Sequence, residues 1–383
     1  MSDQVERQAK NIKQYYVPRT AVVYFSEAAL TVADNLSHLV VEHTQFFQIG
    51  PPAAAALASE PPRANANRFQ IRFLNWLAAD RRTVSSPGEF FNRGPGRELS
   101  TALKDFDLVV VVFKSGKVKS LEYVQTLVGL LKRHDVLAFH YVIESLVLSI
   151  PAQKLFTKLT QTIKSARQVH VEIREAAVVD AYKQATITNR NHYINLYTNH
   201  LIESFLAPFL DPTQNEDHFS KVKALFYEAP RSFETKVISS IGYSEAATDY
   251  LDLALVQALA NPIFAGAFQA ARSFIVSIKT PLLSLGMAQR IEAVFHQLVG
   301  PDHPVLVASY LGAYDYDLYC QVTILALNVD LARLNPNPDL VSADIKAAIA
   351  AAPAATEVFR DPATRDHFLD HQIEILDDPA KTK

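Results

Sequence analysis

Apolar runs rich in β-branched residues alternate with segments of helical spacing through the first half of the chain. Residues 20–25, 46–49, 108–113, 136–143 and 169–173 read as strands, and helices are expected between them at 28–42, 69–79, 118–132 and 154–165. Strands alternating with helices argue for an α/β fold built on a mostly parallel sheet. In the second of those helices Phe69, Phe73, Trp76 and Leu77 form an apolar stripe, which we read as core. The stretch 172–207 has no proline or glycine, so one long helix is expected in its C-terminal part, ended by Pro208.

Beyond this helix the pattern changes. Residues 236–240, 273–279, 305–310 and 318–327 read as strands, with helices at 244–260 and 285–298, which describes a smaller α+β layer. Asn335-Pro336-Asn337-Pro338 interrupts regular structure, and 329–383 reads as a tail with one or two short helices and an acidic end.

Composition narrows the class. A chain of 383 residues has room for two ordinary domains, and 49% hydrophobic with 20% charged residues describes a soluble globular protein. A net charge of −3 supplies no basic field, so a nucleic-acid partner is not expected. The polar start, 1–14, forms no signal peptide. The uncharged stretch 253–271 contains Gln257, Asn261, Pro262 and Gln269, and reads as the end of a buried helix rather than a span inserted in a membrane. Cys320 is the only cysteine and sits in an apolar strand, so we read it as an inert buried thiol in a reducing, cytoplasmic compartment. Glycine is the informative shortage: 11 of 383 is under half the usual share of about 7%. Phosphate-binding loops need glycine for close backbone approach and positive φ.

The candidate chemistry lies where the strand at 108–113 meets the helix at 118–132. Lys114, Lys117 and Lys119 crowd this joint around Gly116 and Ser120. Gly116, Lys117, Lys119 and Ser120 are the candidate nucleotide- or anion-binding residues, lysine replacing backbone amides as the phosphate binder. The plainer alternative is a solvated turn with Lys119 and Lys132 on an exposed helix face. Glu122 suits the positive end of the helix but repels phosphate. His367 and His371, four apart beside Asp366 and Asp370, have a spacing that can seat a metal, against a plainer reading as a solvated acidic tail. No nucleophile elbow, HExxH or GxGxxG pattern is present.

Several stretches carry a resemblance to a known family. The run 258–264 (ALANPIF) resembles "AISNPLL", 270–278 (AARSFIVSI) resembles "GARGVLVNI", and 305–310 with 318–326 resembles a closing strand pair. Their order and spacing over about residues 20–328 resemble FtsZ, the bacterial tubulin relative. The family's GGGTG[ST]G signature falls on 116–122, where Gly116 alone is kept. Its opening glycine loop falls on 24–30, which has no glycine and carries Glu27. Its second-strand motif falls near Pro51-Pro52-Ala53, and its guanine-reading aspartate near His192. The catalytic-loop motif NxDFxDV falls on 216–222, with His218 and Lys221 in place of both aspartates and Asp217 one position away.

The resemblance implies a tubulin/FtsZ-like fold. A Rossmann-like, mostly parallel sheet domain with a long central helix (1–209) joins a smaller α+β domain (210–328), followed by a tail (329–383). It implies a cytoskeletal cell-division protein acting at the division site by head-to-tail self-assembly or co-assembly with another FtsZ-like subunit. GTP binding and hydrolysis are expected to be weakened or lost, with no catalytic residue, no metal and no cofactor unless a rebuilt loop still takes GTP and Mg²⁺. The tail would engage a membrane-tethering protein, with Phe368, Leu369, Ile373, Ile375 and Leu376 as anchors. Two alternatives stay open: a doubly wound ligand-binding protein or enzyme with a relocated site, and a GTP-binding FtsZ with rebuilt loops.

Overall fold

The computed structural model describes residues 17–25, 44–50, 71–77, 83–145, 147–174, 178, 190–210, 218–227, 236–244, 250–261, 264, 267–280, 285–310, 320–330 and 338–352. The strands are β1 (Thr20–Phe25), β2 (Thr44–Gly50), β3 (Ile71–Asn75), β4 (Leu108–Lys114), β5 (Leu137–Glu144), β6 (Val169–Arg174), β7 (Lys236–Ser244), β8 (Ser273–Lys279), β9 (Val305–Tyr310) and β10 (Cys320–Leu327). The helices are α1 (Pro87–Asn92), α2 (Arg97–Ala102), α3 (Val118–Arg133), α4 (Ile150–Ser165), α5 (Arg190–Leu210), α6 (His218–Tyr227), α7 (Tyr250–Leu259), α8 (Leu285–Val299) and α9 (Pro338–Ala351).

All ten strands form one mixed sheet in the order β3-β2-β1-β4-β5-β6-β7-β10-β8-β9. The first six are parallel, with β1 pairing both β2 (Val22↔Phe46) and β4 (Val22↔Val110). This strand order reverses direction between β1 and β4, and in open α/β sheets a crevice opens at such a point outside the strand C-termini. Three parallel pairs join β6 to β7, from His170↔Lys236 to Glu172↔Ile238. Strand β10 runs antiparallel between β7 and β8, and β9 closes the edge parallel to β8.

The strands read as continuous apolar runs because both faces are covered. In β4, Leu108, Val110 and Val112 face one core, and Val109, Val111 and Phe113 face another made with α3 and α4. The first of these cores contains α5: Ile194, Leu201, Ile202, Phe205 and Phe209 pack with residues from β1, β4, β5 and β6, and also with Val237, Ile241, Ile275 and Leu325 from the second half. Helix α5 therefore lies across the β6–β7 seam. A third core gathers α7, α8 and α9 on the opposite face of β7, β8 and β10.

Two expectations are corrected. Within 69–79 the described residues form β3, not a helix. Pairing with β2 imposes the two-residue period, so Leu74 and Trp76 turn into the core while Phe73 stands 60% exposed. The stripe of Phe73, Trp76 and Leu77 is thereby split between faces. Helix α5 does not end at Pro208 but runs to Leu210, because a proline this near the end removes only the bond its missing N–H would have made to Ser204. Of the one or two helices expected within 329–383, the described residues hold Pro338–Ala351 as α9, whose Ile345, Ala348 and Ile349 are buried against α7 and α8. The helix expected at 28–42 lies outside the described residues.

Candidate functional site

The β4–α3 joint sits beside the end of β5. Lys114 is the last residue of β4, level with Ile143. The Ser115 N–H donates to the Ile143 carbonyl at 3.0 Å, and the Ser115 hydroxyl accepts the Ser145 N–H at 3.0 Å. Both bonds tie the turn to β5 and leave Ser115 fully buried. Gly116 comes next for a packing reason: a Cβ placed there would lie 2.7 Å from the Ser145 Oγ. Lys117 occupies the N-cap of α3 in an extended conformation and caps nothing with its side chain, since an ammonium cannot accept an N–H.

The four candidate residues are thus adjacent but face different ways. Lys117 and Lys119 are exposed, Gly116 is half-buried and Ser120 is buried. Lys119 pairs with Glu122 at 3.5 Å on the helix surface, which offsets its charge locally. Chemically, the joint offers one exposed lysine at the positive end of a 16-residue helix and a second already matched to a carboxylate.

Other family-matched positions divide similarly. His192 is exposed in the first turn of α5, against the Tyr193 ring at 5.3 Å. His218 opens α6 and is buried at 5% exposure, whereas Lys221 on the same helix is exposed. Phe219 and Val222 hold α6 in the core it shares with α5, and this fixes the rotation that turns His218 inward. Glu27, Pro51-Pro52-Ala53, Asp217, His367, His371 and the apolar tail residues lie outside the described residues. Among the described residues no group of three or more His, Cys, Asp or Glu side chains is placed to hold a metal, and no helix is long and apolar enough to cross a membrane.

Sequence reasoning missed a charged cluster at the C-terminal ends of β5 and β6. Glu172 pairs with Arg174 at 2.5 Å and contacts the Lys236 ammonium across the β6–β7 seam. Burial pushes the Glu172 carboxyl up, but Lys236 and Arg174 outweigh it and hold the group down at about 2. Glu144, level with Arg174 in the β5–β6 register, goes the other way. Burial, then the Glu172 charge and a hydrogen bond with Glu172, raise it to about 7. The available signal was a glutamate inside an apolar strand, which has to find a cation when buried.

A second unread cluster fastens α5 to the sheet. Thr323 and Gln321 donate to the Ser204 Oγ at 2.9 and 3.0 Å, which leaves the Ser204 proton for the Tyr310 hydroxyl oxygen at 3.1 Å. One residue earlier, Glu203 pairs with Lys279 at 2.9 Å. Burial, then the Glu203 charge, hold the Tyr310 phenol well above its ordinary value and keep it neutral.

No protein-family model and no curated protein sequence matches the chain. Solved structures do. An empty FtsZ dimer from M. jannaschii superposes with a TM-score of 0.70 at 15% identity, covering 88% of this chain and 95% of that one. CetZ from Methanosaeta thermophila gives 0.57 at 12%, covering 93% and 98%. GDP-bound monomeric CetZ1 from Haloferax volcanii gives 0.56 at 12%, covering 86% and 99%. With the strand order, the α5 crossing and this coverage together, the chain has the tubulin-like fold of FtsZ and CetZ.

Proposed function

We propose that the protein is a tubulin-like cytoskeletal subunit of cell division. It assembles head to tail with its own copies or with another FtsZ-like subunit at the division site in the cytoplasm, with GTP binding and hydrolysis weakened or lost. The observation that carries this reading is an FtsZ fold over 88% of the chain whose β4–α3 joint is closed by Ser145 against its lone glycine. A phosphate loop needs free backbone N–H groups and room for oxygen atoms. Here the Ser115 N–H and hydroxyl are both bonded to the end of β5, which supports the weakening of phosphate binding at this joint. The burial of His218 and the lysine at 221 support the loss of hydrolysis, since neither places a carboxylate where a neighbouring subunit's water would need one.

Self-association is favoured because one structural neighbour is an FtsZ dimer. A head-to-tail interface of that kind does not close on itself and yields filaments. A membrane-tethering protein at the tail completes the proposed partners.

Sedimentation of the purified protein with and without GTP and Mg²⁺ tests the reading. Pelleting in both conditions is the expected result. Pelleting only with GTP would overturn the loss of nucleotide chemistry and favour the second reading, in which the exposed Lys117 and Lys119 bind phosphate through a rebuilt loop. In that case Lys117→Ala with Lys119→Ala abolishes the GTP response.

A further inference from the structure

The two most exposed large hydrophobic side chains among the described residues are Val147 at 85% and Ile150 at 70%, three apart on the connection from β5 into α4. A surface valine or isoleucine alone means little, but a pair on one short connection makes a patch. The connection lies against the β4–α3 joint, since a Cβ at Gly116 would come within 3.9 Å of the Leu148 Cδ2. Exposed lysines rim it. Lys117 and Lys119 are exposed one and three residues after Gly116 at the joint, and Lys154 follows one turn after Ile150 on α4. Glu122 matches Lys119, and the half-buried Glu144 carboxyl is raised to about 7, so Lys117 and Lys154 carry the net charge of the rim.

The complement of that surface is written in the chain itself. Residues 366–378 (DHFLDHQIEILDD) contain five carboxylates, no lysine or arginine, and the apolar side chains Phe368, Leu369, Ile373, Ile375 and Leu376. The 13 residues 353–365 separate this segment from the last described residue, Ala352. Fully extended they reach about 45 Å, the scale of a folded body whose radius of gyration is about 21 Å. A tether of this length holds its end at roughly millimolar effective concentration. Docking too weak to survive between separate molecules is populated under that condition.

We infer that segment 366–378 docks on its own chain, setting its apolar side chains on Val147 and Ile150 and its carboxylates toward Lys117 and Lys154. The docked segment covers the connection beside the β4–α3 joint and competes there with any outside protein that would use the patch. This docking does not rest on the assembly proposed above.

The test uses the full chain with Val147 replaced by the photoreactive residue p-benzoylphenylalanine, an exposed position where the larger side chain meets no core. Unlabelled and ¹⁵N-labelled protein are mixed, irradiated, digested and mapped by mass spectrometry. The expected result is crosslinks within 366–378 that carry one isotope only. Their yield should fall about tenfold when Leu369, Ile373 and Leu376 are all changed to serine. Crosslinks to any other segment, crosslinks joining the two isotopes, no crosslinks, or a yield indifferent to the serine changes would overturn the inference. Joined isotopes on the folded body would assign the patch to a second copy instead.

Discussion

Against β5, helix α5 packs rings: Phe205 lies 4.2 Å from Phe139 between centroids, and Phe209 stacks edge-on against Phe205 at 5.1 Å. Against β8, β9 and β10 the same helix offers Glu203 and Ser204, which meet Lys279, Tyr310, Gln321 and Thr323. The two contacts hold one helix by different physics. Ring packing against the first half is non-directional and tolerates small shifts of the helix along its axis. The polar contact to the second half is satisfied in one register, because each donor and acceptor has its partner only there. Apolar burial, which also takes in Val237, Ile241, Ile275 and Leu325 of the second half, supplies most of the adhesion, and the polar cluster selects where along the sheet α5 sits.

The largest loss is expected on the apolar side of α5. Phe139→Ala should lower stability to chemical denaturation by about 3–5 kcal/mol, because Phe139 is fully buried against both Phe205 and Phe226. A loss under 1 kcal/mol would show that the ring contact is not the main adhesion.

A smaller effect concerns the other face of the same strand. His140 is fully buried, donates to the Gln168 side-chain oxygen at 2.6 Å, and is lowered by burial to about 4 despite that bond. The unfolded chain takes up a proton near pH 6.5 that the folded chain refuses. Stability is therefore full above about 6.5 and is lost as pH falls toward 4. His140→Gln should reduce the difference in stability between pH 7 and pH 4.5 by about 2 kcal/mol. His170, lowered to about 4 by burial as well, adds slope of the same sign, and Glu144, raised to about 7, opposes it. An unchanged slope would mean that His140 is protonated in the fold.

The smallest effect sharpens the polar side. Ser204→Ala leaves Tyr310, Gln321 and Thr323 short of a partner and should cost about 1–2 kcal/mol. Ser204→Ala combined with Thr323→Val should cost less than the sum of the two single changes, because each single change already removes the Ser204–Thr323 bond. A strictly additive double variant would show that the hydroxyls do not act as a cluster.

Much of the fold was legible in the chain. Strands β1, β4, β8 and β9 begin where their apolar runs begin, and α3 starts at Val118, the residue its amphipathic spacing indicates. Element β3 was not legible, because five residues, IRFLN, are too few to separate the two periods and its partner β2 decides between them. Pro208 misled for a related reason: proline breaks a helix interior, and whether a position is interior depends on where the helix stops. At the candidate site, Lys117 and Lys119 were found by their charge and are exposed, as a cluster of lysines at a turn suggests. Ser145, which closes the turn over Gly116, lies 29 positions further along and carries no motif.

By itself the sequence determined the layers. Unbroken apolar strands require covering on both faces, and helical periods between them supply it, so a parallel α/β first half with a mixed second half follows from local pattern. The tertiary structure alone decided that β6 and β7 join the halves into one sheet, that Glu172 finds Lys236 across that seam, that α5 is held by rings on one side and hydroxyls on the other, and that a serine fills the space beside Gly116. Each of these depends on which distant residues become neighbours. Burial and hydrogen bonding act through space, and a one-dimensional pattern of apolar and polar positions does not record those distances.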